Sequence, residues 1–430
     1  MKILFLFQGT THYYNLITSQ INNQPGVEIV YVFPASKDNS IWQGVFQTQE
    51  GVNFQLVGLE EMQDISTGNY YFPELDKFIL ETRPDIILTT EAHINGIFLD
   101  KKIRAILKQL HIKIILKSIP FENIKKYEDR IREFKNKLND NLLPSFNSMP
   151  GFVSKWMNLL KLNLLYKKFY LDRRAFKKYL ADLTLQKDVF NFVDAHVNYI
   201  DKAYDIFESY DVPKDKIFIT YNSPDTDLYF SVKKKIENEP AILPVNRFRI
   251  IHLSRLVEWK RVDMLINAVA NLKKEFPAME LLIIGNGPEK DKLMEQAVNL
   301  QVSESVKFIG GVYDPELLGK YLMSSSIYTL AGMGGLSIND AMIFGLPVIC
   351  SVCDGTEKYL VKEGYNGLYF ENGNQNSLEL KIKYLFDNPD TCVKMGQHSV
   401  QIIKDEINIH TVVEGYMKAF NYVLQGNNQA

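Results

Sequence analysis

Arg255 and Lys260 stand five positions apart in "HLSRLVEWKRVDMLINAV", residues 252 to 269, between an apolar run and an amphipathic one. Two cations just past a buried strand suit a diphosphate: guanidinium offers a planar fork of donors and ammonium a point charge. The same pair also suits a solvated surface loop, where such charges contribute little. A second stretch, "AGMGGLSINDAM" at 331 to 342, breaks the apolar run Ile327 to Leu330 with Gly332, Gly334 and Gly335, then restarts as a helix with Ser337 and Asp340 in its first turn. Glycine loops that enter a helix bring backbone N–H groups up to anions. Ser337 and Asp340 also fit a capping box, which requires no ligand.

Weaker candidates lie in the first half. Glu91 and His93 follow the apolar run Asp85 to Thr89, and Glu122 follows Ile112 to Lys117. Each is placed to orient or deprotonate an acceptor hydroxyl, and each suits a structural role as well. Gly9 follows the first apolar run, where it permits close approach of a ligand or an ordinary turn. Gly285-Asn286-Gly287-Pro288 resembles the start of a dinucleotide fingerprint, but Lys290 occupies the third glycine position, so a plain strand-to-helix turn is the better reading. Cys350 and Cys353 form a lone C-x-x-C and read as structural. The histidines show no metal-ligand spacing, and no metal is expected.

The elements that must carry these residues alternate. Strand candidates are Lys2 to Phe7, Glu28 to Phe33, Asp85 to Thr89, Ile112 to Lys117 and Ile217 to Tyr221, then Arg249 to Leu253, Glu280 to Ile284, Val306 to Ile309, Ile327 to Leu330 and Pro347 to Cys350. They are apolar with little alternation, as parallel strands covered on both faces should be. Helical stretches separate them; in Arg261 to Phe276, Val262, Leu265, Ile266, Val269 and Leu272 share a stripe. Repeated β-α-β units imply α/β architecture with doubly wound parallel sheets. The pattern restarts after the polar segment 233 to 240. The expected organisation is therefore a first Rossmann-like domain over 1–235, a linker over 236–247, a second Rossmann-like domain over 248–405, and a last helix in 406–430 that could pack on either domain. Ligands of such sheets bind beyond the carboxyl ends of the strands, so two domains facing each other place the active site in the cleft between them.

Composition sets outer bounds. The chain has 430 residues, enough for two cores. A net charge of −2 argues against a general nucleic-acid binder. Three cysteines make a disulfide scaffold a poor fit. The opening apolar run is too short for a secretion signal and reads as a buried strand. With no apolar stretch of membrane-spanning length, the expected location is the cytoplasm. The segment 151–180, within an insert near 145–180, interleaves eight Lys and Arg with Trp156, Leu159, Leu160, Leu164, Leu165, Phe169 and Tyr170. That pattern suits an anionic membrane surface, and equally a surface helix whose lysine stems cover the core.

Several stretches taken in order carry a family resemblance: "SRLVEWKRVDMLINAVANLKKEFP", "LLIIGNGPEKDKL", "VKFIGGVYDPELLGKYLMSSSIYTL", "GGLSINDAMIFGLPVICSVCDGTEKYL" and "GYNGLYFENGN". With "DKAYDIFESYDVPKDKIFITYNSPDTDLYF" before them, they span roughly 200 to 390 and resemble GT-B glycosyltransferases, specifically glycosyltransferase family 4. The first 200 residues match weakly, as a variable acceptor domain would. The resemblance implies a retaining, metal-independent hexosyltransferase without a cofactor. Its donor would be a nucleotide sugar, UDP before GDP, and its acceptor a glycan or lipid-linked hydroxyl in surface polysaccharide or glycoconjugate synthesis. It also implies that Arg255 and Lys260 hold the donor phosphates, that Asp340 bonds the ribose, and that the backbone at Val312 meets the base. Gly334, Gly335, Leu336 and Ser337 would line the sugar and phosphates; Glu91, placed by its position after Asp85 to Thr89 and not by the resemblance, is the candidate on the acceptor side. The family's usual first acid, eight positions before Asp340, is here Gly332. Three other readings stand beside this one: a nucleotide-sugar epimerase, a non-catalytic nucleotide-sugar-binding subunit and, with its fingerprint broken, a nicotinamide dehydrogenase.

Overall fold

The computed structural model describes residues 1–35, 40–42, 45–46, 48–49, 51–65, 67–118, 124–142, 174–353 and 355–425. Glu122 and most of the basic segment, 151–173, lie outside the described residues. Its described end, Arg174 to Leu180, opens a helix over 174–192 on which Arg174, Lys177 and Lys178 are exposed.

Two sheets organise the chain. The first contains β1 (Lys2–Leu6), β2 (Glu28–Pro34), β3 (Gln55–Leu59), β4 (Ile86–Thr90), β5 (Lys113–Ser118), β6 (Ala195–Asn198) and β7 (Ile217–Ile219). Their order is β7-β6-β5-β4-β1-β2-β3. The second contains β8 (Arg249–Leu253), β9 (Glu280–Ile284), β10 (Val306–Gly310), β11 (Ile327–Leu330), β12 (Val348–Cys350) and β13 (Gly367–Tyr369), ordered β10-β9-β8-β11-β12-β13. All five pairs of the second sheet are parallel, with Ile250 opposite both Leu281 and Ile327. Read from one edge, both sheets follow the Rossmann order 3-2-1-4-5-6, and the chain changes direction between β1 and β4 and between β8 and β11.

The continuous apolar runs follow from burial on both faces. Along the second sheet, Ile250, Leu281, Ile283, Ile327 and Ile349 enter one buried cluster. Their neighbours Ile251, Leu282, Ile284, Tyr328 and Val348 enter the other. Successive side chains point to opposite faces, so a strand covered on both sides must be apolar at every position. By compactness the chain falls into two units, one of residues 1–7, 59–219 and 419–430, the other of 8–58 and 220–418. The last helix, Ile409–Gln425, takes a bond from Ile409 N to Thr226 Oγ1 at its start. Near its end, Tyr422 donates to Asp215 Oδ2. Among the described residues no helix is long and apolar enough to cross a membrane.

Candidate functional site

The switch point of the second sheet gathers the strongest candidates. The loop after β8 carries Arg255 and Lys260, and the loop after its neighbour β11 carries the glycines. Lys260 is only 8% exposed. Its Nζ donates to the carbonyls of Met333 at 2.8 Å and Gly334 at 2.7 Å. It also stands 3.6 Å from where a Cβ on Gly335 would be. Met333 N in turn donates to Trp259 O at 3.1 Å, so the two loops are stitched together by backbone and lysine alike. Arg255 sits higher in its loop, half-buried, and among the described residues its guanidinium has no hydrogen-bond or ion-pair partner.

The glycine loop presents a mixed face. Carbonyls at 333 and 334 turn to Lys260, whereas the amides of Gly334, Gly335, Leu336 and Ser337 donate to nothing among the described residues. Such amides are the unsatisfied donors of a helix start, here the helix Ser337–Ile343. They carry the positive end of its dipole. The capping box does not form. Leu336 is the cap residue and makes no side-chain cap bond, while Ser337 Oγ pairs with Tyr328 Oη at 2.7 Å. Asp340 Oδ1 is buried without a hydrogen-bond partner, and burial raises its carboxyl to about 7.

Gly332 explains itself sterically. A Cβ there would lie 2.0 Å from Trp259 O and 2.8 Å from Lys260 Cα. Both are backbone atoms, so no side chain, acidic or otherwise, fits while the loops stay joined. Gly285 and Gly287 serve the same scaffold from the other side. Their added Cβ atoms would meet Ser254 O at 1.8 Å and Leu256 O at 2.3 Å, and Leu256 N donates to Asn286 O. The turn after β9 therefore seats the Arg255 loop, a role invisible in a failed dinucleotide pattern. Val312, beyond β10, packs partly buried against the second cluster, with the neighbouring Tyr313 ring 91% exposed. His252, at the foot of the loop, is neutral: burial lowers it to about 4, and its ring nitrogens pair with Thr329 O and Ser254 Oγ.

In the first sheet, Gly9 follows β1 and Glu91 follows β4. The Gly9 carbonyl accepts the Tyr31 hydroxyl at 2.8 Å. Glu91 opens the helix Glu91–Leu99; it is reached by water yet crowded by protein, which pushes its carboxyl up to about 7. His93 faces inward instead. It is 1% exposed, its Nε2 lies 2.6 Å from Glu61 Oε1, and its ring packs on Phe72. Lys117, the penultimate residue of β5, belongs to no motif of the sequence. It is buried, donates to Tyr199 Oη at 2.8 Å, and burial lowers it to about 7. Its only sequence signal is a lysine at the carboxyl end of an apolar run. No cluster of metal-ligating side chains occurs among the described residues.

This architecture is that of the GT-B class, two Rossmann-like domains in one chain. The solved structure of Anabaena HepE in complex with UDP superposes with a TM-score of 0.64 over 98% of this chain and 100% of that one, at 17% identity. The same protein with UDP-glucose gives a TM-score of 0.60 over 98% and 99% of the two chains, at 16% identity. The model of the family described as glycosyl transferases group 1 matches residues 233–401 of the chain. An uncharacterized glycosyltransferase of Haemophilus influenzae is 29% identical over 188 residues, 42% of this chain and 52% of that protein. The poly(ribitol-phosphate) alpha-N-acetylglucosaminyltransferase of Staphylococcus aureus is 27% identical over 205 residues, 46% of this chain and 41% of that protein. The chain thus spans about half the length of these two relatives.

Proposed function

We propose that this protein is a retaining glycosyltransferase that moves a hexose from a UDP-sugar to an acceptor hydroxyl in the synthesis of a cell-surface glycan. The observation that carries the reading is Lys260, seated in the glycine loop at the switch point of the second sheet beside four amides that donate to nothing among the described residues. When the glycosidic bond breaks, its electron pair passes to the nucleotide's terminal phosphate. Arg255, Lys260 and the amides at 334–337 are the groups that meet that charge. Asp340 holds the ribose, the backbone near Val312 faces the base, and Glu91 takes the acceptor proton, a task its raised carboxyl suits. UDP ranks before GDP because HepE was solved with UDP, and the Staphylococcus aureus relative, named for an alpha linkage, supports retention and a surface-glycan acceptor. No metal takes part in this scheme, and the proposed domain boundaries remain 1–235 and 248–405.

Thermal-shift and calorimetric titration with UDP, GDP and ADP sugars tests the donor assignment. The expected result is selective stabilisation by a UDP-sugar that EDTA does not abolish. Failure of every nucleotide sugar to bind would overturn the proposal. Attachment to the inner face of the membrane through 151–180 is tested by cosedimentation with anionic liposomes. Replacing Lys167, Lys168, Arg173 and Arg174 with Gln should release the protein; negligible pelleting of both forms would discard the attachment.

A further inference from the structure

At the opposite edge of the second sheet, an open cavity of about 330 Å³ lies among residues that immediately precede β8, β11 and β12. Leu346, Pro347, Leu385, Phe386 and Val393 form its apolar wall, Lys233 and Arg247 are its cations, and no carboxylate lines it among the described residues. The Arg247 guanidinium lies 4.3 Å over the Phe248 ring and has no hydrogen-bond or ion-pair partner among the described residues. Lys233 Nζ donates to Ile343 O at 2.8 Å. Burial lowers the Lys233 pKa, the like charge of Lys404 adds to that, and Glu237 opposes it. An anion in the cavity would relieve the strain of keeping Lys233 charged there.

Ile343 ends the helix that begins at Ser337 and carries Asp340. Seven residues rise about 10 Å, so the cavity's lysine and the donor-side residues grip the two ends of one short rod. The Lys233 ammonium also complements the negative end of that helix.

We propose that this cavity is a second binding site, for a small anion with an apolar body such as an aryl or acyl phosphate or carboxylate, and that its occupancy changes donor affinity. Two cations without an acid select the anion, and the five apolar side chains select its body. The volume falls at the lower end of the range for small-molecule sites, roughly 300–1,000 Å³. An anion that draws Lys233 away from Ile343 O loosens the end of the helix on which Asp340 sits, which couples the cavity to the donor.

Phenyl phosphate is the probe, titrated calorimetrically into the full chain with and without saturating UDP. Saturable binding with a dissociation constant of about 1 mM or tighter is expected. It should weaken at least about tenfold in Arg247→Gln, a change of roughly 1.4 kcal/mol; Arg247 is exposed, so this variant should keep the wild-type melting temperature. Inorganic phosphate should bind about tenfold more weakly than phenyl phosphate, and phenyl phosphate should shift UDP affinity by about fivefold or more. Absent saturation, unchanged affinity in Arg247→Gln, or simple displacement of phenyl phosphate by UDP would each overturn the site. Equal affinity for inorganic phosphate would overturn the apolar body, and an unmoved UDP affinity would overturn the coupling. If UDP itself fails to bind, the donor assignment falls, while the Arg247→Gln comparison still decides the cavity.

Discussion

Replacing Lys260 with Met keeps the length and apolar stem of the side chain and removes its charge and its donors. Two effects should separate. The first is on rate: losing one preorganised stabiliser of developing charge typically costs on the order of a hundredfold or more, about 3 kcal/mol of barrier. The second is on stability, because Nζ is the partner of two carbonyls, Met333 O and Gly334 O. An unsatisfied buried acceptor costs about 1–3 kcal/mol. Met333 is exposed and Gly334 partly so, so water replaces much of the loss, and about 1–2 kcal/mol should remain. For a unit of this size that lowers the melting temperature by roughly 2–8 °C. The assay is release of UDP from UDP-glucose with a coupled readout, beside calorimetric UDP affinity and a thermal scan. Turnover within about threefold of wild type in a variant that melts as wild type does would refute the placement of Lys260 on the donor phosphates.

Gly332→Glu, which supplies the acid expected there from the sequence resemblance, should fail: its Cβ must displace the Trp259 carbonyl, costing about 1–3 kcal/mol, so a lower melting temperature without gained activity is expected. Gly285→Ala faces both a Cβ at 1.8 Å from Ser254 O and a φ of 142°; a loss on the order of 3 kcal/mol in denaturant titration is expected, with weakened UDP binding as the Arg255 loop shifts. Asp340 keeps its proton to about pH 7 when folded and releases it near 4 when unfolded. The folded state therefore binds the extra proton between those values, and stability from this group falls as pH rises from about 4 to 7. Asp340→Asn should gain on wild type across that window in paired thermal scans; a pH-independent difference would show a solvated carboxylate. Glu91→Gln should slow transfer by about a hundredfold or more while leaving UDP affinity unchanged, and parallel loss of both would move Glu91 out of the acceptor role.

The sequence revealed strands where burial on both faces demands unbroken apolar runs. All ten expected strands form, with β4 and β5 each displaced by a residue, to Ile86–Thr90 and Lys113–Ser118. It concealed β3, β6 and β13, whose segments QLVGL, AHVN and GLY are short or polar. In β6 the buried His196 pairs with Phe190 O, a tertiary bond that no local pattern announces. The helix expected over Arg261 to Phe276 spans Val262–Leu272, because Arg261 adopts a left-handed φ of 51°. At the site, residue types and spacing located Lys260 and the glycine loop. They did not show that the loop offers carbonyls to the lysine as well as amides to solvent, since peptide orientation leaves no trace in composition. His93 also looked available from its position after β4, but Glu61, thirty-two residues earlier, encloses it.

The contact between Gly332 and the Trp259 carbonyl has an evolutionary implication. A single codon change at 332 meets a steric barrier, so gain of an acidic side chain would require a prior rearrangement at 258–260, in the very segment that carries Lys260. Intermediates along that route would be impaired twice over. Side chains that read hydroxyls of the proposed donor would therefore have to come from segments other than 332.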